Sequence, residues 1–441
     1  MGADSNRFPG HPIMRVLTLV LSFTGVALAA TAPTSGGFYR DVLPVLQKNC
    51  QSCHRPGEAA PMSFLDYQSV RPWAKAIKTA VVSKQMPPWF ADSHYGKFAN
   101  DRTLAQRDVD TLVAWVDSGA KEGNAKDAPA PLKFTEGWQI GKPDLVVEMP
   151  QDFEVPATGT IDYQYVVIPT GFTEDKYIQM AEARPGNRES VHHIIAFVRE
   201  PGNPWMKNAK PGIPFVPQKG QGGLALAETV AGYAPGMVAP RLLPGQAKLI
   251  KAGSDLVLQM HYTATGKTGT DRSRIGFVFA KEPPKERVAG LAAFKMNFVI
   301  PAGDPDYSME GRFTLQHDAK LVSLLPHMHF RGKSFEYRAI YPTGEKEILL
   351  NVPHYDFNWQ LTYYLENQKV LPKGTIIECT AHYDNSANNK FNPDPSKEVR
   401  FGEQTWEEMM FGFFEVAVPI DVPIIDLIRP KKVAAVETTA P

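Results

Sequence analysis

The sequence has few cysteines and no excess of charge of either sign. Three of its 441 residues are cysteine, which excludes a small scaffold held together by several disulfides. Two of the three belong to a motif described below, so Cys379 has no partner for an intrachain disulfide. Cys379 lies in an alternating polar and apolar run, Thr375 to His382, which predicts a buried thiol in a β-strand rather than a nucleophile.

Charge runs and long apolar runs are also missing. The formal net charge is +0 at pH 7, and no run of lysine and arginine is long enough to indicate nucleic-acid binding. The apolar stretch that begins at Val16 has about 13 residues, whereas a membrane span needs about 20. Arg15 precedes this stretch and Ala27-Leu28-Ala29 ends it. The pattern predicts a cleaved signal peptide over residues 1–29, with Met14 as an alternative start, and a periplasmic or secreted protein without a membrane span.

Hydrophobic patterning divides the chain into a helical part and a longer β part. Apolar residues recur at helical spacing over residues 36–123, and a linker rich in Gly, Ala and Pro follows over 124–140. From residue 141, apolar and polar residues alternate in short segments separated by turns, which is typical of antiparallel β-sandwiches. A charged, proline-rich segment at 281–287 marks a boundary between two sandwiches. We therefore predict a mainly β chain with this domain order: a small all-α haem domain (36–123), two jelly-roll-like sandwiches (141–285 and 286–425) and a disordered tail (426–441).

A Cys-x-x-Cys-His sequence, Cys50, Cys53 and His54, lies in the helical part. Two thiols one helical turn apart can bond the two vinyl groups of a haem, and the adjacent histidine can bind the iron. A thioredoxin-like redox pair would need βαβ surroundings, and a zinc site would need two further ligands nearby. The motif therefore predicts one covalently bound c-type haem.

The sixth iron ligand is expected after the motif. Met86 is the preferred candidate, because two prolines stiffen its loop and the nearby Trp89 is expected to pack against the porphyrin. Met62 is the second candidate and His94 the third. A methionine ligand raises the reduction potential relative to histidine, which suits an electron carrier. The alternative for either methionine is simple core packing.

Eight of the 11 histidines lie after residue 190, and several stand in apolar strands. They form a pair, a single histidine that ends a strand, and a His-x-His: His192 and His193, His261, and His327 with His329. Residues i and i+2 of a strand share a face, so a His-x-His can bind one ion. Adjacent histidines can do so only if the strand twists or bulges, or if each uses a different ring nitrogen. Imidazoles and a thioether suit copper better than magnesium or calcium, so the histidines are candidate copper ligands, with ordinary hydrogen-bonded histidines as the alternative.

These motifs resemble those of the copper type II, ascorbate-dependent monooxygenases, the family of peptidylglycine α-hydroxylating and dopamine β-monooxygenases. The resemblance covers roughly residues 140–420 and keeps the family's motif order. It implies two copper sites with these ligands: His192, His193 and His261 in one, and His327, His329 and Met409 in the other. Met409 follows an acidic residue, as in the family, and Met410 is a close alternative. The N-terminal part resembles haem modules fused to such domains in bacteria.

The resemblance also implies an activity. Family members hydroxylate an aliphatic C–H carbon with O₂, and their two coppers lie in separate β-sandwiches across a solvent cleft. The catalytic residues implied are His327, His329 and Met409, while the three-histidine site passes one electron at a time. An external one-electron donor, either an ascorbate-like reductant or a redox protein, has to supply two electrons per turnover. We expect the fused haem to pass them to the three-histidine site, since fusion gives a high effective concentration.

The sequence departs from the family in ways that bear on the substrate. The animal enzymes have several disulfides and this chain can have none. The peptide-amidating members bind a substrate carboxylate with an arginine two residues before the His-x-His and a tyrosine four residues after the methionine. Leu325 and Phe413 occupy those positions here. Burying a carboxylate against two apolar groups costs several kcal/mol, so a less charged, small organic substrate is expected.

Two other classes of function stay open. One is a non-catalytic haem and copper electron-transfer or copper-binding protein on the same scaffold, and the other is a binding or adhesion sandwich. Three further histidines are expected at the surface or beside the ligands: His317, His354 and His382. Arg331 and Lys333 are expected in a solvated turn, with contact to an anionic substrate or a haem propionate as the alternative.

Overall fold

A computed structural model describes residues 37–428 of the chain, apart from residues 59, 135–136, 219–227, 238 and 241. The predicted signal peptide, residues 1–29, lies outside the described residues. The described chain is mainly β, with antiparallel sheets in a sandwich-like arrangement and a small helical part at the N-terminal end, so the predicted fold class is confirmed.

The helical part starts with a π-helical turn at Phe38–Val42 that continues directly into the first α-helix. The α-helices are α1 Leu43–Asn49, α2 Tyr67–Val70, α3 Ala74–Val82, α4 Gln106–Asp117 and, at the far end of the chain, α5 Ile424–Ile428; short 3₁₀ turns cover Arg71–Trp73 and Ala125–Asp127. The carboxylate of Asp66 caps α2 by accepting the amide hydrogen of Ser69 at 2.8 Å. The helical spacing over residues 36–123 agrees with the position of α1 to α4, and Gly119 follows the end of α4 with a φ of 94°.

The helices enclose their own apolar core. Trp115 is fully buried on α4, and its ring nitrogen donates to the carbonyl of Lys121 at 2.8 Å. Phe38 and Leu46 from the first helical segment and Val70 from α2 pack in the same cluster. A core of this kind gives the Cys-x-x-Cys-His segment a fixed platform at the end of α1.

Ten strands lie in the described part of the first sandwich. They are β1 Leu145–Glu148, β2 Phe153–Val155, β3 Gln164–Pro169, β4 Lys176–Arg184, β5 Val191–Arg199, β6 Glu228–Tyr233, β7 Gln246–Ile250, β8 Asp255–Tyr262, β9 Gly269–Asp271 and β10 Arg274–Phe279. One sheet has the order β3-β8-β5-β6, and the opposite layer has the order β1-β10-β4-β7. Side chains from both layers meet in one core that includes Val166, Ile194, Leu258, Ile275 and Phe277. The histidine strands β5 and β8 therefore sit side by side in the first sheet.

The second sandwich also holds ten strands. They are β11 Glu286–Lys295, β12 Val299–Ile300, β13 Tyr307–Thr314, β14 Ala319–His327, β15 Gly332–Ile340, β16 Lys346–Val352, β17 Tyr363–Leu371, β18 Ile376–Tyr383, β19 Val399–Arg400 and β20 Met410–Pro419. The ladder β11-β20-β14-β17 faces the ladder β13-β18-β15-β16, and their shared core includes the Cys379 side chain, fully buried as predicted.

The two sandwiches share one sheet. Strand β11 pairs in parallel with β7, with Glu286 opposite Gln246 and Arg287 opposite Ala247. A buried ion pair reinforces the junction: the ammonium of Lys248 on β7 lies 2.5 Å from a carboxylate oxygen of Glu415 on β20. Lys248 also donates to the carbonyl of Thr229 at 2.8 Å.

A segment of the helical part leaves its own core and packs on the second sandwich. Its backbone forms an antiparallel bridge between Phe98 and Leu365, and the amide of Ala99 donates to the carbonyl of Tyr364 at 2.8 Å. The indole of Trp89 lies 4.8 Å from the ring of Tyr363. Trp89 is therefore part of the second sandwich core, and the expectation that it packs against a porphyrin is wrong.

The predicted tail also needs a correction. A disordered segment was expected from residue 426, but α5 extends to Ile428 and the side chain of Leu427 is fully buried in the second sandwich core. Burial of that side chain holds the end of the helix in place. Residues 429–441 lie outside the described residues. None of the helices in the described ranges combines the length and the hydropathy that a bilayer crossing requires.

The Lys248–Glu415 pair yields a stability prediction. Replacing Lys248 with methionine leaves a largely buried carboxylate without its cation, so the free energy of unfolding should fall by about 3 kcal/mol. The double variant K248M/E415L should recover most of this loss. Denaturant unfolding measures both values. Lys251→Met, at the exposed pair with Glu200, is the matched control and should change stability by less than about 1 kcal/mol; equal losses in K248M and K251M would contradict the prediction.

Candidate metal centres and haem segment

The first histidine group lies on the adjacent strands β5 and β8. His193 stands directly opposite His261 in the antiparallel ladder, so their side chains share a face. The register shifts between Val191 and His193, which leaves His192 as the extra residue of a β-bulge. Because of this bulge, His192 no longer points away from its neighbour, and one ring nitrogen from each of the three histidines lies within 4.8 Å of the others. The strand irregularity that adjacent histidine ligands require is present.

Burial keeps these imidazoles neutral. It lowers the pKa of His192 to about 4 and that of His261 to about 3. The pKa of His193 is held well below its ordinary value by burial and then by the neighbouring histidines. The ring of Tyr163 packs against both His193 and His261, at centroid distances of 5.3 and 4.7 Å. Near neutral pH the group therefore presents lone pairs rather than positive charge.

The hydrogen bonding of this group fits a metal ion. Both ring nitrogens of His192 and Nδ1 of His261 are buried and have no hydrogen-bond partner among the described residues. A buried polar atom left unpaired costs about 1–3 kcal/mol, so three such atoms in one place need a compensating ligand. Neutral imidazoles at this spacing are suitable donors for a borderline-soft transition metal.

The second histidine group lies where β14 ends. His327 and His329 have ring centroids 5.3 Å apart. Nδ1 of His327 lies 2.9 Å from Oε1 of Gln360, and Nδ1 of His329 lies 3.3 Å from the carbonyl oxygen of Glu407. Both acceptors favour a proton on Nδ1, which leaves the lone pair on Nε2, the nitrogen that could bind a metal ion. Nε2 of His329 is buried and unpartnered among the described residues, and burial lowers the pKa of both rings.

The two candidate methionine ligands, Met409 and Met410, differ in their surroundings. His327 pairs with Phe411 across the antiparallel strands β14 and β20. The ladder ends there, and His329 and Met409 lie beyond it on the two segments. Met410 alternates to the other face and packs in the second sandwich core, with no exposed surface. Core packing therefore accounts for Met410, and Met409, which is 1% exposed, stays the predicted thioether ligand.

A buried carboxylate ties this group together. Glu408 is fully buried and accepts backbone amide hydrogens from His329 at 2.5 Å, from Met409 at 2.9 Å and from Arg331 at 3.1 Å. Burial raises the pKa of Glu408 to about 7, although these hydrogen bonds act in the opposite direction. The carboxylate joins the end of β14 to the start of β20, which fixes the two candidate ligand segments relative to each other.

Apolar side chains surround the second group on its sheet face. Leu325 stands opposite Phe413, and the ring of Phe413 lies 6.1 Å from that of His327. Phe411 stacks on Phe413 at 5.3 Å and on Phe294 at 5.1 Å. None of these side chains is charged, and the Lys248 ammonium further along the same face is already paired with Glu415.

One aromatic ring lies between the two histidine groups. Phe357 stacks on His192 with a centroid distance of 5.3 Å and an interplanar angle of 11°. The same ring stands edge-on to His329, at 6.2 Å and 89°. The resemblance implied a solvent cleft between the two sites. That expectation is wrong for the part of the space between His192 and His329, which Phe357 fills.

The predicted haem segment follows α1 as a tight turn. The amides of Cys53 and His54 both donate to the carbonyl of Cys50, at 3.1 and 3.0 Å, which brings the two thiol-bearing residues one turn apart. The His54 ring stacks on Phe64 at 4.1 Å, and its Nδ1 is buried without a partner among the described residues. Burial raises the pKa of the Cys50 thiol to about 12, so this thiol is protonated at neutral pH. These residues fit covalent haem attachment.

The candidates for the sixth ligand lie in different surroundings. Met62 packs against the helical core together with Cys50. Met86 follows α3, where its amide donates to the carbonyl of Ala80 at 3.2 Å. His94 is exposed and pairs with Asp92 at 2.6 Å. Assignment of Met86 as the ligand stays a prediction, and Met62 shares the apolar cluster that contains Cys50.

The haem segment contacts the strand region that carries the first histidine group. A guanidinium nitrogen of Arg188, just before β5, lies 2.8 Å from a carboxylate oxygen of Glu58. Arg188 also lies over the ring of Tyr233, at 5.7 Å from its centroid. Tyr233 stands opposite Ile194, the neighbour of His193. The loop after the haem motif is thereby fixed close to β5 by one largely buried ion pair.

The other residues singled out in the sequence differ in how far they are buried. Arg331 is 2% exposed and hydrogen-bonds to Asn385 and to the carbonyl of Trp406, so a solvated turn is wrong for this residue. Lys333 is half-exposed and pairs with Asp306 at 2.8 Å. The other three histidines are exposed or partly exposed: Nδ1 of His317 lies 2.8 Å from the carbonyl oxygen of Asp318, His382 pairs with Asp306 at 3.2 Å, and His354 is exposed.

Sequence reasoning missed several residues of the site. Glu408 could have been singled out, because it directly precedes a candidate ligand. Phe357, Gln360 and Tyr163 carry no local motif, and they reach the histidines only through the folded arrangement of loops and strands. No periodicity or spacing in the sequence would have identified them.

Comparisons with known proteins add little. No family model matches the chain, and none of the curated proteins matches it. Similar solved structures include the infectious bursal disease virus VP2 subviral particle, at 7% identity and a TM-score of 0.19, and infectious bursal disease virus Gt strain, at 9% and 0.16. Each match covers 66% of this chain and 75% of the other. With TM-scores this low, the likeness carries no argument about fold or function.

The lowered histidine pKa values predict how the metal-free protein responds to acid. The unfolded chain binds protons to its histidines near pH 6.5, whereas His192 in the folded chain does so only near pH 4. Stability is therefore fully present above pH 6.5 and falls as the pH drops towards 4. His192 alone should account for a loss of about 2 kcal/mol between pH 7 and pH 5.

Denaturant unfolding of chelator-treated protein at pH 7 and pH 5 measures this loss. His192→Gln removes the titrating ring at similar size, so its stability should fall less over the same interval, by about 2 kcal/mol. Identical pH dependence in the wild-type and H192Q proteins would contradict the prediction.

Proposed function

We propose that this chain is a copper-dependent monooxygenase that hydroxylates an aliphatic C–H bond of a small organic substrate with O₂. One observation carries the proposal: the chain buries two separate groups of neutral histidines, and ring nitrogens in each group lack a hydrogen-bond partner among the described residues. The motif order that resembles the copper type II family supports the same reading. When bound, copper would supply one-electron chemistry with O₂, and haem would supply one-electron transfer.

The first group is suited to holding one copper ion as an electron site. His192, His193 and His261 would bind it through neutral imidazoles, and the bulge at His192 lets all three face one point. Tyr163 packs against two of the rings, which limits their rotation and excludes water from that side.

The second group is suited to the oxygen chemistry. His327 and His329 would bind copper through Nε2, since Gln360 and the Glu407 carbonyl hold the Nδ1 protons. Met409 would add a thioether, which stabilises Cu(I), the state that reacts with O₂. Glu408 keeps the ligand segments in register through three backbone amides.

The surroundings of His327 favour an apolar substrate. Leu325 and Phe413 line the sheet face beside it, and neither can pair with a carboxylate. A charged substrate would lose its hydration there without a compensating partner, at a cost of several kcal/mol. The proposed substrate is therefore a small organic molecule whose reacting carbon lies in an uncharged region.

Electrons have to enter from outside. Hydroxylation converts R–H, O₂, two electrons and two protons into R–OH and water, so an external one-electron donor is required. Haem held by Cys50, Cys53 and His54 would receive these electrons, and the Arg188–Glu58 pair holds the haem segment close to the strand that carries His192 and His193. The signal-peptide pattern supports a periplasmic or secreted location.

A non-catalytic haem and copper electron-transfer protein is the second candidate. Burial favours it, because His193 and His329 are 6% and 1% exposed and offer a substrate little direct access. Oxygen uptake by the copper-loaded protein, with reductant and a panel of apolar substrates, distinguishes the two. Uptake coupled to product formation supports the monooxygenase, and its complete absence with two bound coppers would favour electron transfer.

The two methionines provide a matched test of the second copper site. Met409→Leu and Met410→Leu each remove a sulfur atom at similar volume. Loss of a ligand worth about 3 kcal/mol should weaken Cu(I) binding by about 100-fold in M409L. M410L should bind Cu(I) as the wild type does, because its side chain packs in the core. Competition titration with a Cu(I) chelator measures both affinities, and equal affinities would remove Met409 from the site.

The haem ligand is tested by a second matched pair. Met86→Leu should abolish the methionine-ligation features of the visible spectrum and lower the reduction potential, since a thioether ligand raises it. Met62→Leu should leave both unchanged. Spectra and potentiometric titration of the holoprotein provide the readouts. The opposite result, with M62L altered and M86L unchanged, would assign the ligand to Met62.

A further inference from the structure

The loop that follows the haem motif packs against the first sandwich through one carboxylate. Oxygens of Glu58 lie 3.0 Å from a guanidinium nitrogen of Arg55 and 2.8 Å from one of Arg188, which stands just before β5. The Arg188 guanidinium in turn lies over the ring of Tyr233, the last residue of β6, at 5.7 Å from its centroid. Tyr233 therefore stands where the first sandwich meets the Cys-x-x-Cys-His segment.

The hydroxyl of Tyr233 is a buried hydrogen-bond donor. The residue is 9% exposed, and its hydroxyl has no hydrogen-bond partner in the described part of the chain. Burial raises the pKa of Tyr233, and the charges that act on it next are those of Arg188, Glu58 and Cys53. The hydroxyl is therefore a neutral donor, and it lies near the second cysteine of the haem motif.

A cation reaches the same region from the helical part. Arg102 is partly buried, and neither a carboxylate nor a hydrogen-bond acceptor pairs with its guanidinium among the residues that the structure describes. Burial lowers the pKa of Arg102, and the Cys53 thiol acts on it in the opposite direction. One of its guanidinium nitrogens would lie 3.4 Å from a Cβ atom built on Gly236, three residues after Tyr233. A partly buried cation is costly unless an anion pairs with it.

A guanidinium and a hydroxyl together match an anionic oxygen acceptor. Arginine binds carboxylates through strong, charge-assisted hydrogen bonds, and a phenol hydroxyl adds a further donor. Glu58 does not serve, because its carboxylate already pairs with Arg55 and Arg188. Haem attached at Cys50 and Cys53 would bring its own propionate carboxylates to this region, and these are the anionic side groups of the cofactor.

We propose that Arg102 and Tyr233 bind a propionate carboxylate of the haem, so that the first sandwich completes a haem site begun by the helical part. This inference rests on the proposed function, since it requires haem at the Cys-x-x-Cys-His segment. Arg331 and Lys333, the propionate contacts considered from the sequence, both have other partners. A propionate held from both parts of the chain fixes the haem relative to β6, which pairs with the histidine strand β5.

Potentiometric titration of the haem-loaded, full-length chain tests the two donors. A cation beside the haem favours the reduced state. Arg102→Met should therefore lower the ratio of reduced to oxidised haem by about tenfold at a fixed applied potential, which is a shift of about 59 mV. Arg102→Lys keeps the charge and should recover most of this ratio. Tyr233→Phe removes only the hydroxyl, and it should lower the ratio in the same direction by a smaller factor.

Matched controls separate a haem contact from a general effect of charge or packing. Arg107→Met removes an 82% exposed guanidinium from α4 in the same helical part. Tyr67→Phe removes a hydroxyl that donates to the carbonyl of Ala120 at 3.0 Å. Both should leave the potential unchanged. Circular dichroism verifies folding, and if R102M does not fold, Arg102→Gln serves as the neutral variant with the same expected shift.

Three outcomes would contradict the inference. A wild-type potential in the folded neutral variant of Arg102 would overturn it and leave haem attachment and the copper chemistry intact, and so would equal falls in R102M and R107M, because the effect would then follow net charge alone. A wild-type potential in Y233F would remove the first sandwich from the haem site. A purified wild-type chain without covalent haem would overturn both this inference and the haem of the proposed function.

Discussion

Burying an imidazole without a hydrogen-bond partner is expensive, and this chain does so repeatedly in two neighbouring places. Both ring nitrogens of His192, Nδ1 of His261 and Nε2 of His329 are buried and unpartnered among the described residues. At about 1–3 kcal/mol for each atom, their combined cost is comparable to the whole stability of an ordinary domain. The surrounding sheets, the tyrosine and phenylalanine rings and the Glu408 carboxylate serve to hold these rings despite that cost. The arrangement makes physical sense if ligands compensate for the cost.

The two groups reach this state by different structural routes. In the first, cross-strand pairing and a β-bulge bring three histidines together on one sheet, so the backbone ladder itself determines the geometry. In the second, the His-x-His lies at the end of a strand, where ladder hydrogen bonds stop. There a buried carboxylate replaces the ladder, since Glu408 accepts the amide hydrogens of His329, Arg331 and Met409. The first group depends on sheet formation, and the second on one side chain.

Much of this arrangement could be predicted from the sequence, and the correct and incorrect predictions each have a physical reason. The alternating run Thr375 to His382 predicted β18, Ile376–Tyr383, to within one residue at each end, because this strand has one face in a core. The histidine motifs identified imidazoles that the fold brings together, and the core packing of Met410 leaves Met409 as the predicted thioether ligand. Trp89, Leu427 and Arg331 were misjudged because their burial comes from packing against parts of the chain distant in sequence. Phe357 and Gln360 lie in a loop whose position no local pattern determines.

The parallel pairing of β7 with β11 has a consequence for motion. Because Gln246 and Ala247 share sheet hydrogen bonding with Glu286 and Arg287, the two sandwiches are not two bodies joined by a free hinge. Rotating one against the other would break that ladder and separate the buried Lys248 ammonium from the Glu415 carboxylate. Rearrangement around the histidines is therefore expected from side-chain rotation and shifts of the 353–362 loop, on the fast timescale of such movements, rather than from slow domain opening. Entry of a molecule to this region would then be controlled by one aromatic ring and its loop.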